Sequence, residues 1–503
     1  MRPDTSRTAP TRNDAVSAVR DAPTGGAVGS TAQGEALGEA LGEALGEALA
    51  DDPLLRDLTP VLDAAFGDLP HIVLAVSGGS DSTAMMLLAQ SWRARRVASA
   101  APAPELSIVT VDHALRAASV AEAHSVGEAA RALGLDHTTL RWVGAKPSTG
   151  LQSAARKARY ELIRSHLLAT GRAGVAMAHT QDDQAETLLM RLARGSGIDG
   201  LGAMRPVTEI GHGLRVMRPL LRVSKHELTA YLRRHDRTWV EDPSNGSPVF
   251  ERVRVRQARA ALSAAGFTLE SPALARSAAR AARASDALDL LTASAWDAAG
   301  DRARFDPLGY AEVDPIWLLE QPEEVRLRLL AGLVDTIGGQ RHAHGHGVSL
   351  GQLEDLVGRC GYLDLHGATL HGALFWRRPQ RPMQIIREFG RPLPEIDLEP
   401  GQTTVWDGRF HMSSRFLSAA GPAPGRVRVG PLTAAGLRTL LGNWPQGASA
   451  AYRQRARVLW TQPALYADGR LVAAPTLGYV AAGWCPIEHA AIGPQFVRSS
   501  LEM

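Results

Sequence analysis

Cysteine is nearly absent from this 503-residue chain, which holds only Cys360 and Cys485. They stand far apart in unrelated contexts, so neither a disulfide framework nor a four-thiolate metal site can be built, and cysteine chemistry is disfavoured. Long apolar runs are also missing. None approaches the roughly 18 residues that span a bilayer, and the N-terminus lacks the basic, apolar and small-residue order of a secretory signal. The chain is therefore expected to be soluble and cytoplasmic. Net charge is small, +3, and by itself decides nothing. Its distribution says more, because residues 151–260 carry nineteen Lys and Arg against eleven Asp and Glu, a local excess suited to phosphate. A solvated helical face with spare arginines is the alternative.

With 45% hydrophobic residues, a chain this long has room for two to four domains with cores of their own. Residues 1–50 contain "GEALGEALGEALGEAL" at 34–49 behind a Ser-, Thr-, Ala- and Gly-rich start. A glycine every turn costs a helix about 1 kcal/mol each relative to alanine, so the segment is expected to be a disordered extension without chemistry. From 51 onward, short apolar runs alternate with longer helical patterns, the signature of a parallel sheet. Strands are expected at 71–76, 106–112, 137–142 and 174–178, with helices at 82–93, 119–133, 151–169 and 181–194. The fold class is α/β, a Rossmann-like parallel sheet over 51–247. Ala-, Leu- and Arg-rich patterns then suggest a helical domain over 248–392, and the Pro-rich stretch 389–401 precedes a small α+β domain over 395–503.

The stretch "LAVSGGSDSTAMMLL" (74–88) places two glycines where a strand hands over to a helix. Gly78 and Gly79 allow a tight turn with bare backbone, so N–H groups can face a phosphate while Ser77, Ser80 and Ser82 offer hydroxyls and the helix adds its positive end. Asp81 would repel phosphates unless a divalent cation lay between, which implies magnesium. An ordinary Gly-Gly turn with a Ser/Asp helix cap is the bland alternative.

Ser77-Gly78-Gly79-Ser80-Asp81-Ser82 resembles the pyrophosphate-binding loop of the ATP pyrophosphatases, which adenylate a carbonyl with ATP; there is no Gly-Lys-Ser/Thr, so it is not a Walker A loop. "VDHALR" (111–116), "LQSAARKARYELI" (151–163), "HTQDDQAETLLMRLARGSGIDGLGAM" (179–204), "RPLL" (218–221) and "EDPSN" (241–245) follow in the order of the tRNA(Ile)-lysidine synthases. The resemblance covers about 68–260. More loosely, "VWDGRF" and "PALYADGRLVAAPTLGY" beyond 395 are similar to the C-terminal domain of longer members.

That resemblance implies a ligase reaction. ATP adenylates the C2 carbonyl oxygen of the wobble cytidine in the minor isoleucine tRNA, and the ε-amine of free L-lysine displaces AMP, so that the tRNA reads AUA rather than AUG. It also implies roles. Asp81 would hold magnesium, and the loop with Asp112 and His113 would meet ATP, although His113 is equally readable as a structural histidine. Asp183 and Glu186, three apart and hence on one helix face, would hold the lysine ammonium and help strip its proton; Arg159 and Arg252 would grip phosphate, cytidine or the lysine carboxylate. Val253 stands where the family usually has asparagine. Arg453, Arg455 and Arg457 could track RNA or form a plain strand edge, and the His342, His344 and His346 cluster reads as loop. No obligate protein partner is evident. A thiolase of the same superfamily would need cysteines near the motifs, a non-catalytic tRNA-binding relative would show an eroded loop or acid pair, and a glutamine-fed amidotransferase would need a nucleophilic cysteine domain.

Overall fold

A computed structural model describes residues 16–19, 51–116, 118–147, 149–210, 213–241, 250–339, 348–361, 367–377, 381–399, 403–413, 427–442, 456–481 and 488–493. They fall into two compact units, which divide between Arg283 and Ala284.

The first unit is built on a seven-stranded sheet. In chain order its strands are β1 (Val16–Val19), β2 (His71–Ala75), β3 (Glu105–Asp112), β4 (Asp136–Trp142), β5 (Gly174–Met177), β6 (Val207–Glu209) and β7 (Arg215–Met217). Their spatial order is β1-β4-β3-β2-β5-β7-β6. The β2–β3, β3–β4, β2–β5 and β5–β7 pairs are parallel, while β1 and β6 pair antiparallel at the two edges. All four expected central strands form within a residue or so. The extension departs from expectation at one point, because Val16–Val19 adds a strand to β4; an unpaired β4 would present open N–H and C=O groups at the sheet edge.

The helices of this unit are α1 (Pro53–Phe66), α2 (Ser80–Ala98), α3 (Ala118–Arg131), α4 (Leu151–Thr170), α5 (Gln181–Leu192), the single turn α6 (Ile198–Leu201), α7 (Lys225–Arg234), α8 (Glu251–Ala264) and α9 (Ser271–Asp297), whose C-terminal end runs on into the second unit. Alternation along β2 assigns the two faces. Ile72 and Leu74 join a core with Leu55 and Leu62 of α1, Met85 and Trp92 of α2, Val126 of α3 and Leu228 of α7; Val73 packs with Leu162, Ile163 and Leu167 of α4. Each fully buried aliphatic side chain contributes about 1.5–3 kcal/mol, and burial on both faces explains why β2 and β5 read as apolar runs.

The second unit, Ala284–Arg498, is not the plain helical-then-α+β series expected. Beyond α9 and up to 392, the helices Pro315–Glu320, Glu323–Ile337 and Leu350–Gly361 accompany a five-stranded antiparallel sheet of strands Ala303–Asp306, Tyr310–Val313, Thr369–Leu370, Ala373–Trp376 and Met383–Arg387. Their short length and the flanking helical pattern hid them. Nor does a core boundary fall near 392–395: Leu308, Tyr310, Leu374 and Ile386 share one cluster with Leu432, Leu440, Leu459 and Leu477, and Gln462 Nε2 donates to the Leu308 carbonyl, buried, at 2.9 Å. Asp407 binds Arg387 at 3.0 Å and Arg409 at 2.8 Å, all three side chains buried.

Candidate active site

Where the sheet order reverses direction, two strand ends open side by side. From β2 the chain runs outward through β3 and β4, and β5 then lies on the other side of β2, so the loops after β2 and β5 flank one crevice of the kind that takes ligands in open α/β sheets.

The first loop is the Gly-Gly turn. Gly78 has φ +86°, and a Cβ there would meet Val126 Cγ2 at 3.2 Å and Val240 Cγ2 at 3.3 Å; glycine is required by both conformation and space. The turn is fixed by the Val240 N–H on the Gly78 carbonyl at 2.8 Å. Gly79 differs, since a Cβ would meet only Ser77 Oγ, at 3.8 Å. Its bareness is not demanded by packing and leaves the front of the loop open. The hydroxyls are largely used by the turn itself: Ser82 donates to the Gly79 carbonyl at 3.0 Å, Ser77 Oγ lies 3.3 Å from Ser82 Oγ, and Ser80 donates to Asp81 at 3.0 Å. Backbone N–H groups are thus the loop's main offer to an anion.

Asp81 follows in the first turn of α2. Burial raises the pKa of its carboxyl, Lys225 works against that rise, and the carboxylates of Asp183 and Asp182 add to it. The loop acid and the α5 acids therefore share one electrostatic site, although they are a hundred residues apart in sequence.

Helix α5 opens on a capping box. Thr180 Oγ1 accepts from the Asp183 N–H, and Asp183 Oδ2 accepts from the Thr180 N–H at 2.9 Å, which fixes Asp183 at the helix start. Its other oxygen accepts from Arg252 at 2.7 Å. One turn on, Glu186 is 1% exposed and accepts from Arg256 Nε at 2.5 Å. Acids spaced i,i+3 on α5 thus meet arginines spaced i,i+4 on α8. Burial opposes charge on Asp183, but Arg252 and the Thr180 N–H outweigh it and lower its pKa; burial dominates at Glu186 and raises its pKa. Among the described residues of α8 only Val253 is buried, and the helix is also held by these pairs, by Arg194–Glu251 and by Arg259, which donates to the Leu269 carbonyl and Ser271 Oγ. Val253 thus serves as the apolar anchor of that helix.

His113, just past β3, stands edge-on to Trp142 with ring centroids 6.0 Å apart and lies 3.4 Å from the Arg159 guanidinium of α4. Burial and then Arg159 lower its pKa to about 4, so it is neutral at pH 7. His179, at the end of β5, is likewise held neutral by burial. Asp112 is committed to local structure, as its Oδ1 accepts from the Ala114 N–H and Ser119 Oγ, both at 2.7 Å. Burial lowers the pKa of Arg159, and the charges of Arg156 and Arg252 add to that lowering, so positive charge is concentrated beside the crevice.

Sequence reasoning missed Arg256 and Lys225. Arg256 was visible as the i+4 companion of Arg252, a spacing that matches the acid pair. Lys225 carried no signal beyond its place inside Ser-Lys-His-Glu, a capping box closed by Ser224 and Glu227. Of the three C-terminal arginines, Arg453 and Arg455 lie outside the described residues, as do the three clustered histidines, Cys485 and nearly all of "EDPSN". Arg457 stacks 3.8 Å over the ring of Trp376.

Residues 56–260 match the family model of the PP-loop domain. A tRNA(Ile)-lysidine synthase of Bradyrhizobium diazoefficiens is 41% identical over 372 residues, which cover 73% of this chain and 94% of that relative. Its counterpart in Ruegeria pomeroyi is 36% identical over 432 residues, 85% of this chain and 94% of its own. The chain belongs to the tRNA(Ile)-lysidine synthase family. Among solved structures, the U34-tRNA thiolase NcsA from Methanococcus maripaludis is similar over 45% of this chain and 78% of its own, with a TM-score of 0.37 and 14% identity, a likeness that carries no argument.

Proposed function

We propose that this family member joins free L-lysine to C2 of the wobble cytidine of the minor isoleucine tRNA, using ATP and releasing AMP and pyrophosphate. The observation that carries the reading is the convergence, at the reversal point of the sheet, of an open phosphate-type loop and a buried acid pair. Adenylation and amine attack need these two functions within one ligand's length of each other.

In the first step the cytidine O2 attacks the α-phosphorus and pyrophosphate leaves. Loop N–H groups bind the phosphates, and Arg159 and Arg252 supply charge beside them. A magnesium ion would fit Asp81: its half-buried carboxylate lies in the field of two more acids, and Mg²⁺ is characteristically held by one or two carboxylates together with phosphate oxygens and water. The ion supplies neutralisation of charge growing on the phosphates. In the second step the lysine ammonium docks against Asp183 and Glu186 and gives up a proton there, and the free amine attacks C2 and expels AMP. Since each acid already holds an arginine, lysine joins or displaces that pairing. Neutral His113 and His179 leave the net charge of the crevice to its acids and arginines.

Among the described residues no helix is long and apolar enough to cross a membrane; a cytoplasmic site of action is part of this proposal. Incubation with ATP, labelled lysine and either the isoleucine tRNA with a CAU anticodon or the methionine tRNA, followed by nucleoside analysis, tests the reading. Label is expected in lysidine of the isoleucine tRNA alone; label in neither tRNA refutes it.

A further inference from the structure

Lys225 has a place in the site that the loop and the acid pair do not explain. It is the first residue of α7, and its backbone N–H, not its side chain, binds Asp182 Oδ2 at 2.8 Å. The preceding turn is tied to the same helix start, where the Gln181 N–H donates to the Val223 carbonyl at 2.9 Å. This double attachment ties Lys225 to the first turn of α5, and its helix shares a core with α2, Leu228 and Leu232 with Met85 and Leu88; of the charged side chains, Lys225 acts most strongly on Asp81.

Other cations around the crevice are committed: Arg156 lies over the Tyr160 ring. Arg252 binds Asp183, Arg256 binds Glu186, Arg159 meets His113, and Arg218 donates to the Arg205 carbonyl and Thr208. The Lys225 ammonium has no hydrogen-bonded or ion-paired partner among the described residues. A mobile point charge with three donors beside a loop of bare N–H groups suits a phosphate whose charge is growing.

We propose that the Lys225 ammonium receives the pyrophosphate leaving group during adenylation. The step rests on the function proposed above. The O2–Pα bond forms, the bond from Pα to the oxygen bridging to Pβ breaks, and that oxygen departs with the electron pair. The added charge spreads over the β-phosphate, where Lys225 donates hydrogen bonds; no proton need be transferred.

The test separates the two half-reactions in the full chain. Single-turnover formation of AMP-tRNA and pyrophosphate is followed without lysine, and lysine capture is then followed by adding it. Lys225→Met keeps the backbone bond to Asp182, so its melting curve is expected to match wild type. Its adenylation rate is expected to fall about 10²–10³-fold, as when one oxyanion donor is removed, with the lysine and tRNA Michaelis constants unchanged and Lys225→Arg recovering part of the loss. Wild-type adenylation by Lys225→Met overturns the proposal. So does a loss confined to lysine capture, which would place Lys225 with the acid pair. A wild-type enzyme that forms no adenylate refutes the proposed function instead.

Discussion

Asp183 joins a helix cap and an ion pair in one side chain, so two substitutions take them apart. Asp183→Ala removes both. Loss of the capping acceptor costs about 1 kcal/mol. Loss of the pair with Arg252 costs less than the roughly 3–5 kcal/mol of a fully buried pair, because the arginine side chain is 37% exposed against 15% for the acid; about 1–2 kcal/mol is reasonable. The sum, about 2–3 kcal/mol, corresponds to a fall in melting temperature of roughly 4–12 °C for a unit of this size. Asp183→Asn keeps an oxygen for the Thr180 N–H and loses only the charge, so about 1–2 kcal/mol is expected. Both variants should lose lysine use far more than ATP use. Urea denaturation followed by far-ultraviolet circular dichroism measures the first effect, and the lysine dependence of AMP release the second. The pH dependence has a definite sign. Because the folded pKa is lowered, this stabilisation is present above the unfolded value and is lost as pH falls through the folded one. Equal stability of Asp183→Ala and wild type would refute the cap and the pair together; a normal lysine dependence would reduce Asp183 to a cap.

Asp81→Asn should abolish adenylation yet raise the melting temperature of the ligand-free protein. The folded pKa of Asp81 is raised, so its charge lowers stability as pH rises from the unfolded value through the folded one, and a lower melting temperature for Asp81→Asn at pH 7 would contradict this. Arg256→Gln removes the cation that counters burial at Glu186, and the acid limb of lysine use should move to higher pH; an unmoved limb would show that Glu186 need not ionise. In the second unit, Asp407→Asn leaves the guanidiniums of Arg387 and Arg409, 6% and 2% exposed, without their carboxylate. About 3–5 kcal/mol should be lost, and a change under 1 kcal/mol in urea denaturation would show that water reaches the cluster.

Much of the first unit was legible because its signals are local. Strands β2, β3 and β5 announce themselves as largely apolar runs buried on both faces, Gly78 marks a conformation that other residues resist, and Thr180 with Asp183 writes a helix start into four residues. The second unit was not legible in the same way: its strands are four or five residues or shorter, and Leu308 and Tyr310 find their partners more than a hundred residues later. By itself, the sequence determined the α/β core, the loop and the acid-bearing helix, since periodicity, turn chemistry and capping act over a few bonds. Only the tertiary structure decided that Asp81 feels Asp182 and Asp183, that Arg256 rather than a solvent shell meets Glu186, and that Lys225 stands beside the loop. Those pairings depend on strand order and helix docking, which bring distant residues within Coulomb range and exclude the water that would otherwise screen them.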